Sequence, residues 1–251
     1  MSQVNTKKIA FITGGNRGIG LETARQLGRI GIFPVIGARN VAAGKEAVAT
    51  LKNEGIEADS LEFDVASKEH HQKAYDYFVA RSGHLDILIN NAGVYLEGEP
   101  GGEPPYSASS IPEKLLRDTL EANLFAPIAV TQKLPPLLRK SAAGRIVNLS
   151  SILGSLTLHS DPKSPIYGSL SVAYNTSKTA LNSYTVHLAK DLRDSTIKVN
   201  AAHPGWVQTR MGGSSAPMNI VDGAKTSVRL ATLPADGPNG GFFHLGDTLP
   251  W

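Results

Sequence analysis

Thr13-Gly-Gly-Asn-Arg-Gly-Ile-Gly20 stands between an apolar run, Ile9-Ala-Phe-Ile12, and a stretch with small or apolar residues at Ile19, Ala24, Leu27 and Ile30. The run predicts a buried strand from Lys8 to Thr13, and the later spacing predicts a helix that stops near Gly31. The glycines therefore occupy a strand-to-helix turn. Glycine there permits a tight turn, close approach of backbone to a ligand and close helix–sheet packing, while the helix amides and dipole favour a phosphate. The order Gly14, Gly18, Gly20 is Gly-x3-Gly-x-Gly, a variant of the dinucleotide fingerprint. A glycine turn serving topology alone has the same composition. The strand–turn–helix context is what favours the nucleotide.

Outward from this turn the pattern repeats. Phe33–Ala38 reads as a second strand, and Val41, Ala43, Ala47, Val48 and Leu51 mark a second helix ending at Gly55. Leu61, Phe63 and Val65 alternate as a strand does, and Ser67 caps a helix running to about Arg81. Leu85–Ile89, Arg145–Leu149, Ile197–Ala201 and a weaker Gly241–Leu245 complete the apolar runs. Strands alternating with helices imply right-handed βαβ units and a parallel sheet. The expected fold is α/β: one Rossmann-type domain over residues 1–251 that includes the substrate site. Its doubly wound sheet has about seven mainly parallel strands, with helices on both faces. A TIM barrel has the same alternation, but its phosphate loops come late in the chain rather than after the first strand. Glu97–Pro112 and Leu156–Val172 are expected to be long loops of functional kind.

Composition narrows the function classes. The 251 residues lack cysteine, which removes disulfides, Cys-ligated zinc, iron–sulfur clusters and thiol nucleophiles. The surplus of 25 Lys+Arg over 22 Asp+Glu is +3, too small for a nucleic-acid stripe despite a pI near 9.0. Met1–Lys8 is polar and no apolar run approaches a membrane span, so a cytoplasmic protein with neither nucleic-acid nor membrane partner is expected. The seven histidines are scattered, and no metal site is expected.

The end of the second strand selects the dinucleotide. A carboxylate there binds the ribose 2′-OH of NAD. Val35–Asn40 holds no Asp or Glu but does hold Arg39, and Arg17 lies in the glycine turn itself. Two guanidinium groups at adjoining turns favour a 2′-phosphate, so NADP(H) is preferred over NAD(H). A P-loop is excluded: Gly37 and Gly44 have six residues between them rather than four, and Glu46 replaces the Mg-binding hydroxyl.

For chemistry, Tyr174-Asn-Thr-Ser-Lys178 puts a phenol and an ammonium on one helix face. The ammonium is expected to stabilise phenolate and bring the phenol nearer to working pH. Tyr-x3-Lys alone is a weak signal. Tyr167 and Tyr184 have no such partner.

Taken together the chain resembles the short-chain dehydrogenase/reductase family, in its compact carbonyl-reductase-like branch. The resemblance covers nearly the whole chain. It rests on Thr13-Gly-x3-Gly-Ile-Gly20, Asp64-Val65, Asn90-Asn-Ala-Gly93, Asn123, Asn148-Leu-Ser-Ser151, Tyr174-x3-Lys178 and Pro204-Gly-Trp-Val-Gln-Thr209. The resemblance implies reversible reduction of a ketone or aldehyde by nicotinamide hydride. Tyr174 would be the acid/base, with Lys178 lowering its pKa and binding ribose, Ser151 polarising the carbonyl, and Asn123 holding a relay water. It implies cofactor contacts at Gly14, Asn16, Arg17, Gly18, Ile19, Gly20, Arg39, Asp64, Val65, Asn90, Ala92, Gly93, Tyr174, Lys178, Pro204, Gly205, Val207 and Thr209. Asn90 and Asn91 also have a plainly structural reading. Tyr95, Leu153, Trp206 and Met211 are candidate walls of a pocket with a short lid. The long stretch before Tyr174 leaves homo-oligomer and monomer both open. Two other readings share these motifs: a non-catalytic NADP-binding sensor or scaffold, and a nucleotide-sugar epimerase or dehydratase.

Overall fold

In the computed structural model, which describes residues 7–99, 102 and 104–251, strand β1 (Ile9–Thr13) is buried along its whole length. Its faces meet different cores, Ala10 and Ile12 on one side, Ile9 and Phe11 on the other. The same alternation divides β2 (Phe33–Ala38), where Ile36 and Ala38 oppose Val35, and β4 (Ile87–Asn90), where Ile87 and Ile89 oppose Leu88. Burial on both faces is why these strands read as continuous apolar runs.

Helices α1 (Gly18–Arg29), α2 (Val41–Asn53) and α9 (Ile220–Ala231) cover the first face through Ala24, Leu27, Leu51 and Leu230. The second face receives α3 (Lys68–Arg81), α5 (Ala126–Lys133), α6 (Pro135–Leu138) and α8 (Val172–Asp191), through Phe78, Val130, Leu137 and Ala189. Ser67 caps α3 by accepting from the His70 amide, as its position predicts.

The sheet order is β3-β2-β1-β4-β5-β6-β7-β8, with β3 (Asp59–Glu62), β5 (Arg145–Leu149), β6 (Lys198–Ala202), β7 (Phe242–His244) and β8 (Asp247–Thr248). All neighbours are parallel except β7 and β8. Eight strands thus replace the expected seven or so, because β8 is an exposed two-residue strand with no period to read. Strand β3 also ends earlier than the Leu61–Phe63–Val65 alternation predicts. Its last ladder bond runs from the Phe63 amide to Ala38, after which Asp64 closes a turn by accepting from Ala66.

The Leu156–Val172 stretch is partly ordered as α7 (Leu156–His159) rather than loop throughout. Met1–Thr6, and Pro100, Gly101 and Glu103 of the expected Glu97–Pro112 loop, lie outside the described residues. Among the described residues no helix is long and apolar enough to cross a membrane. The parallel arrangement has one decisive consequence. Every loop leaving the C-terminal end of β1 to β6 emerges at the same edge of the sheet, where ligands bind in open α/β folds.

Candidate active site

The glycine turn opens that edge at the switch between β1 and β4. Gly14 and Gly18 adopt φ of +62° and +55°, a region other residues enter at a cost. A Cβ at Gly20 would lie 2.6 Å from Asn91 Nδ2 and 2.7 Å from the Gly14 carbonyl, so only glycine lets the helix start so close to the strand. Among the described residues, α1 has no side-chain cap and no acidic residue in its first turn. Its leading amides and positive dipole end thus face the cleft with no anion of the chain's own. That is the form a pyrophosphate requires, and the residues fit a dinucleotide.

The register Thr13↔Gly37 sets the β1 and β2 turns side by side, tied by the Gly15 amide donating to the Gly37 carbonyl at 3.2 Å. Arg17 and Arg39 project from these adjoining turns, both exposed, and neither forms an ion pair among the described residues. Asp64 follows at the end of β3, its amide donating to His70 Nδ1, while the Val65 carbonyl accepts from His71 Nε2.

After β4 the two asparagines part company. Asn90 is buried, and its Nδ2 donates to Thr131 Oγ1 and Asn148 Oδ1, both at 2.8 Å. Asn148 in turn donates to Thr185, so Asn90 belongs to a polar web joining β4, β5, α5 and α8. Asn91 donates to the Thr13 and Gly14 carbonyls and locks the glycine turn from below. Both therefore have the structural role their residue type allows. Asn123 lies on a five-residue π-turn, Glu121–Phe125, between α4 (Glu113–Leu120) and α5. Such bulges often mark functional positions. Its amide accepts from the Val94 N–H, donates to the Val94 carbonyl and donates to Ser177 Oγ at 3.1 Å, so it clasps the loop after β4 to α8. Both donors of its side-chain amide thus have protein partners.

Ser151, Tyr174 and Lys178 come together beside this clasp. Ser151 begins a short 3-10 turn, Ile152–Gly154, that lies flat on α8: a Cβ at Gly154 would meet the Lys178 backbone at 2.8 Å. Thr179 and Asn182 of α8 both donate to the Gly154 carbonyl. Lys178 Nζ donates to the Leu149 carbonyl at 2.8 Å and sits 5.5 Å from the centre of the Tyr174 ring.

Burial sets the electrostatics here. It pushes the Tyr174 phenol up to about 12, against a lowering hydrogen bond to Ser151, with Tyr95 adding a small rise. Burial also lowers Lys178 to about 8. The helical spacing predicts Lys178 as the group that draws Tyr174 down. In the structure Ser151 does so, and desolvation outweighs it.

The loop after β6 faces the glycine turn, with Thr209 Cγ2 at 3.7 Å from where a Gly18 Cβ would be. Gly205 has φ of +91° and a Cβ there would collide with Met218, so this turn also requires glycine. Val207 is buried against Gly223 of α9, which makes it a packing residue. Of the expected pocket walls, Tyr95 meets Tyr174 edge-to-face at 5.7 Å, while Trp206 and Met211 are exposed.

Two residues here escape sequence reasoning. His203, between β6 and Pro204, accepts from the Ile152 amide at 3.1 Å and so holds the Ser151 turn. Burial, with His244 beside it, lowers its pKa to about 3 and keeps it neutral for that acceptor role. Glu97, in the loop after β4, is wholly buried, and its two carboxylate oxygens accept from the Ala173 and Tyr174 amides at 2.9 and 2.7 Å. A histidine before Pro-Gly was a readable signal. A glutamate in a Gly/Pro-rich loop gave none.

Known proteins resemble this chain. The short chain dehydrogenase family model matches residues 8–219. Salutaridine reductase of Papaver bracteatum is 33% identical, with 97% of this chain and 96% of that protein covered. Carbonyl reductase (NADPH) 1 of Pongo abelii is 31% identical, covering 97% and 98%. The solved structure of the Drosophila melanogaster carbonyl reductase Sniffer superposes with a TM-score of 0.82 at 30% identity, over 98% of this chain and 99% of that one.

Proposed function

The chain belongs to the short-chain dehydrogenase/reductase family, and from that premise we propose that it is an NADPH-dependent carbonyl reductase. It converts a ketone or aldehyde to an alcohol, reversibly. The observation that carries this reading is the meeting of Ser151, Tyr174 and Lys178 at the same sheet edge as the Gly14–Gly20 cradle. Relatives named as carbonyl reductases, one with NADPH in its name, support the substrate class and the cofactor.

The glycine turn and the α1 amides would hold the pyrophosphate, and Arg17 and Arg39 would hold the 2′-phosphate by charge-assisted bonds. Asp64 and Val65 would border the adenine end of the bound dinucleotide, and Ala92, Gly93 and Pro204–Thr209 its nicotinamide end. When bound, NADPH would supply the hydride for the carbonyl carbon.

The side chains supply the rest. Ser151 donates a hydrogen bond to the carbonyl oxygen, where charge develops. Tyr174, protonated because burial holds its pKa near 12, delivers the proton to that oxygen. The Lys178 ammonium favours this proton release. Asn123 keeps Val94 and Ser177 in place on either side of the reacting groups.

Replacing Tyr174 by Phe removes only the hydroxyl. Tyr174→Phe is expected to fold, to bind NADPH within about threefold of the parent, and to lose turnover of a ketone and aldehyde panel by at least a hundredfold. Full turnover in the folded variant refutes the acid role.

A further inference from the structure

Helix α8 carries Tyr174 in its first turn and Lys178 one turn later, yet its own N-cap residue, Ser171, makes no capping bond. The first-turn amides are instead met from 76 and 77 residues away, by the Glu97 carboxylate on Ala173 and Tyr174. Glu97 is 0% exposed, and each of its oxygens takes one of these amides. Glu97 thus serves as a tie between two segments.

The segments matter. On one side is the loop continuing from Asn90–Gly93, expected to border the nicotinamide; on the other is the acid/base. Further bonds run alongside the tie, Tyr95 Oη to Ser171 Oγ at 3.2 Å and Asn123 to Val94 and Ser177. The opposite flank of α8 is fixed by the Ser151 turn through Gly154. Tyr174, like Ala173 before it, therefore has its own backbone amide anchored to the loop after β4.

We infer that Glu97 is a positioning residue for the acid/base: by binding the α8 amides across the cleft, it fixes the Tyr174 phenol relative to the nicotinamide border. Ordinary capping of α8 demands only a side-chain acceptor at Ser171. Tethering demands Glu97 itself. The inference rests on the reductase reading, because the position matters only if Tyr174 transfers the proton.

Glu97→Gln and the double variant Glu97→Gln/Ser171→Asp separate the two roles, since the aspartate restores a local cap without the tie. The readouts are melting temperature, the NADPH dissociation constant, the single-turnover hydride-transfer rate, and the ring 13Cζ resonance of Tyr174 (the signal lost in Tyr174→Phe). In the folded double variant we expect NADPH affinity within twofold, KM for the carbonyl within threefold, a hydride-transfer rate reduced at least tenfold, and a displaced or broadened Tyr174 resonance. A parental transfer rate in that variant overturns the inference, whatever the resonance does, even if Glu97→Gln alone does not fold. If the parent protein transfers hydride to no carbonyl, the reductase reading has failed, and the Tyr174 resonance alone decides: parental in the double variant, the tie is refuted.

Discussion

Lys178 carries an electrostatic cost in the site. Its ammonium is buried, with the Leu149 carbonyl as partner, and burial brings its pKa from 10.5 to about 8. A shift of that size corresponds to roughly 3 kcal/mol of disfavoured charge at neutral pH, a cost consistent with function rather than stability. The sign of the pH dependence follows. Below about 8 Lys178 is charged and, in the proposed reaction, favours proton release from Tyr174; above it the charge is lost, while Tyr174, near 12, stays protonated. Reduction of a carbonyl should therefore slow as pH rises through about 8. Lys178→Arg, whose guanidinium stays charged, should keep a lower rate that is flat to higher pH. An alkaline limb at the same pH in the arginine variant contradicts the assignment of that limb to Lys178. At this scale the sequence was informative where chemistry is local: Tyr174 and Lys178 are read from one helix turn. Glu97 was not, because its meaning comes from amides 76 and 77 residues away.

Among the elements, the turns after β1 and β2 form one unit, joined through Thr13↔Gly37 and the Gly15–Gly37 bond. We propose that cofactor choice belongs to this pair of turns, since Arg17 comes from one and Arg39 from the other. Arg39→Asp at the β2 end should lower the ratio of kcat/KM for NADPH over NADH by at least a hundredfold, because a carboxylate repels the 2′-phosphate and accepts from a 2′-OH. An unchanged ratio places the phosphate elsewhere. Elements with two-sided burial or glycine punctuation were legible: β2 and β5 fall on the residues their apolar runs mark, and α3 starts at the cap Ser67 predicts. The π-turn at Glu121–Phe125 was not, since Glu-Ala-Asn-Leu-Phe has the propensities of ordinary helix. Nor was β8, whose two exposed residues carry no pattern.

Across the whole molecule, a parallel sheet delivers six loops to one edge, and a buried polar web keeps them in register. Thr131, Asn90, Asn148 and Thr185 link two helices through two adjacent strands, and Ser150 with Asn182 ties β5 to α8. In a dry interior such a web rigidifies so far as its members are satisfied, and among these side chains Asn90 Oδ1 alone is buried without a partner. The glycine cradle, the phenol and the serine are thereby held on one frame, which a near-attack geometry requires. The alternation of strands and helices made this frame legible from the chain. The web that stiffens it was not, because asparagine and threonine inside apolar runs give no sign of their partners.

The central claim is hydride transfer from NADPH to a carbonyl carbon, and isotope transfer tests it without inference. The purified protein is incubated with NADPH carrying deuterium at C4 of the nicotinamide, both C4 epimers in separate runs, and a panel of ketones and aldehydes, and the alcohol is analysed by mass spectrometry. The account predicts deuterium on the carbinol carbon from one epimer and none from the other, with product all but absent in Tyr174→Phe. No alcohol from any member of the panel, or alcohol without deuterium from either epimer, contradicts it.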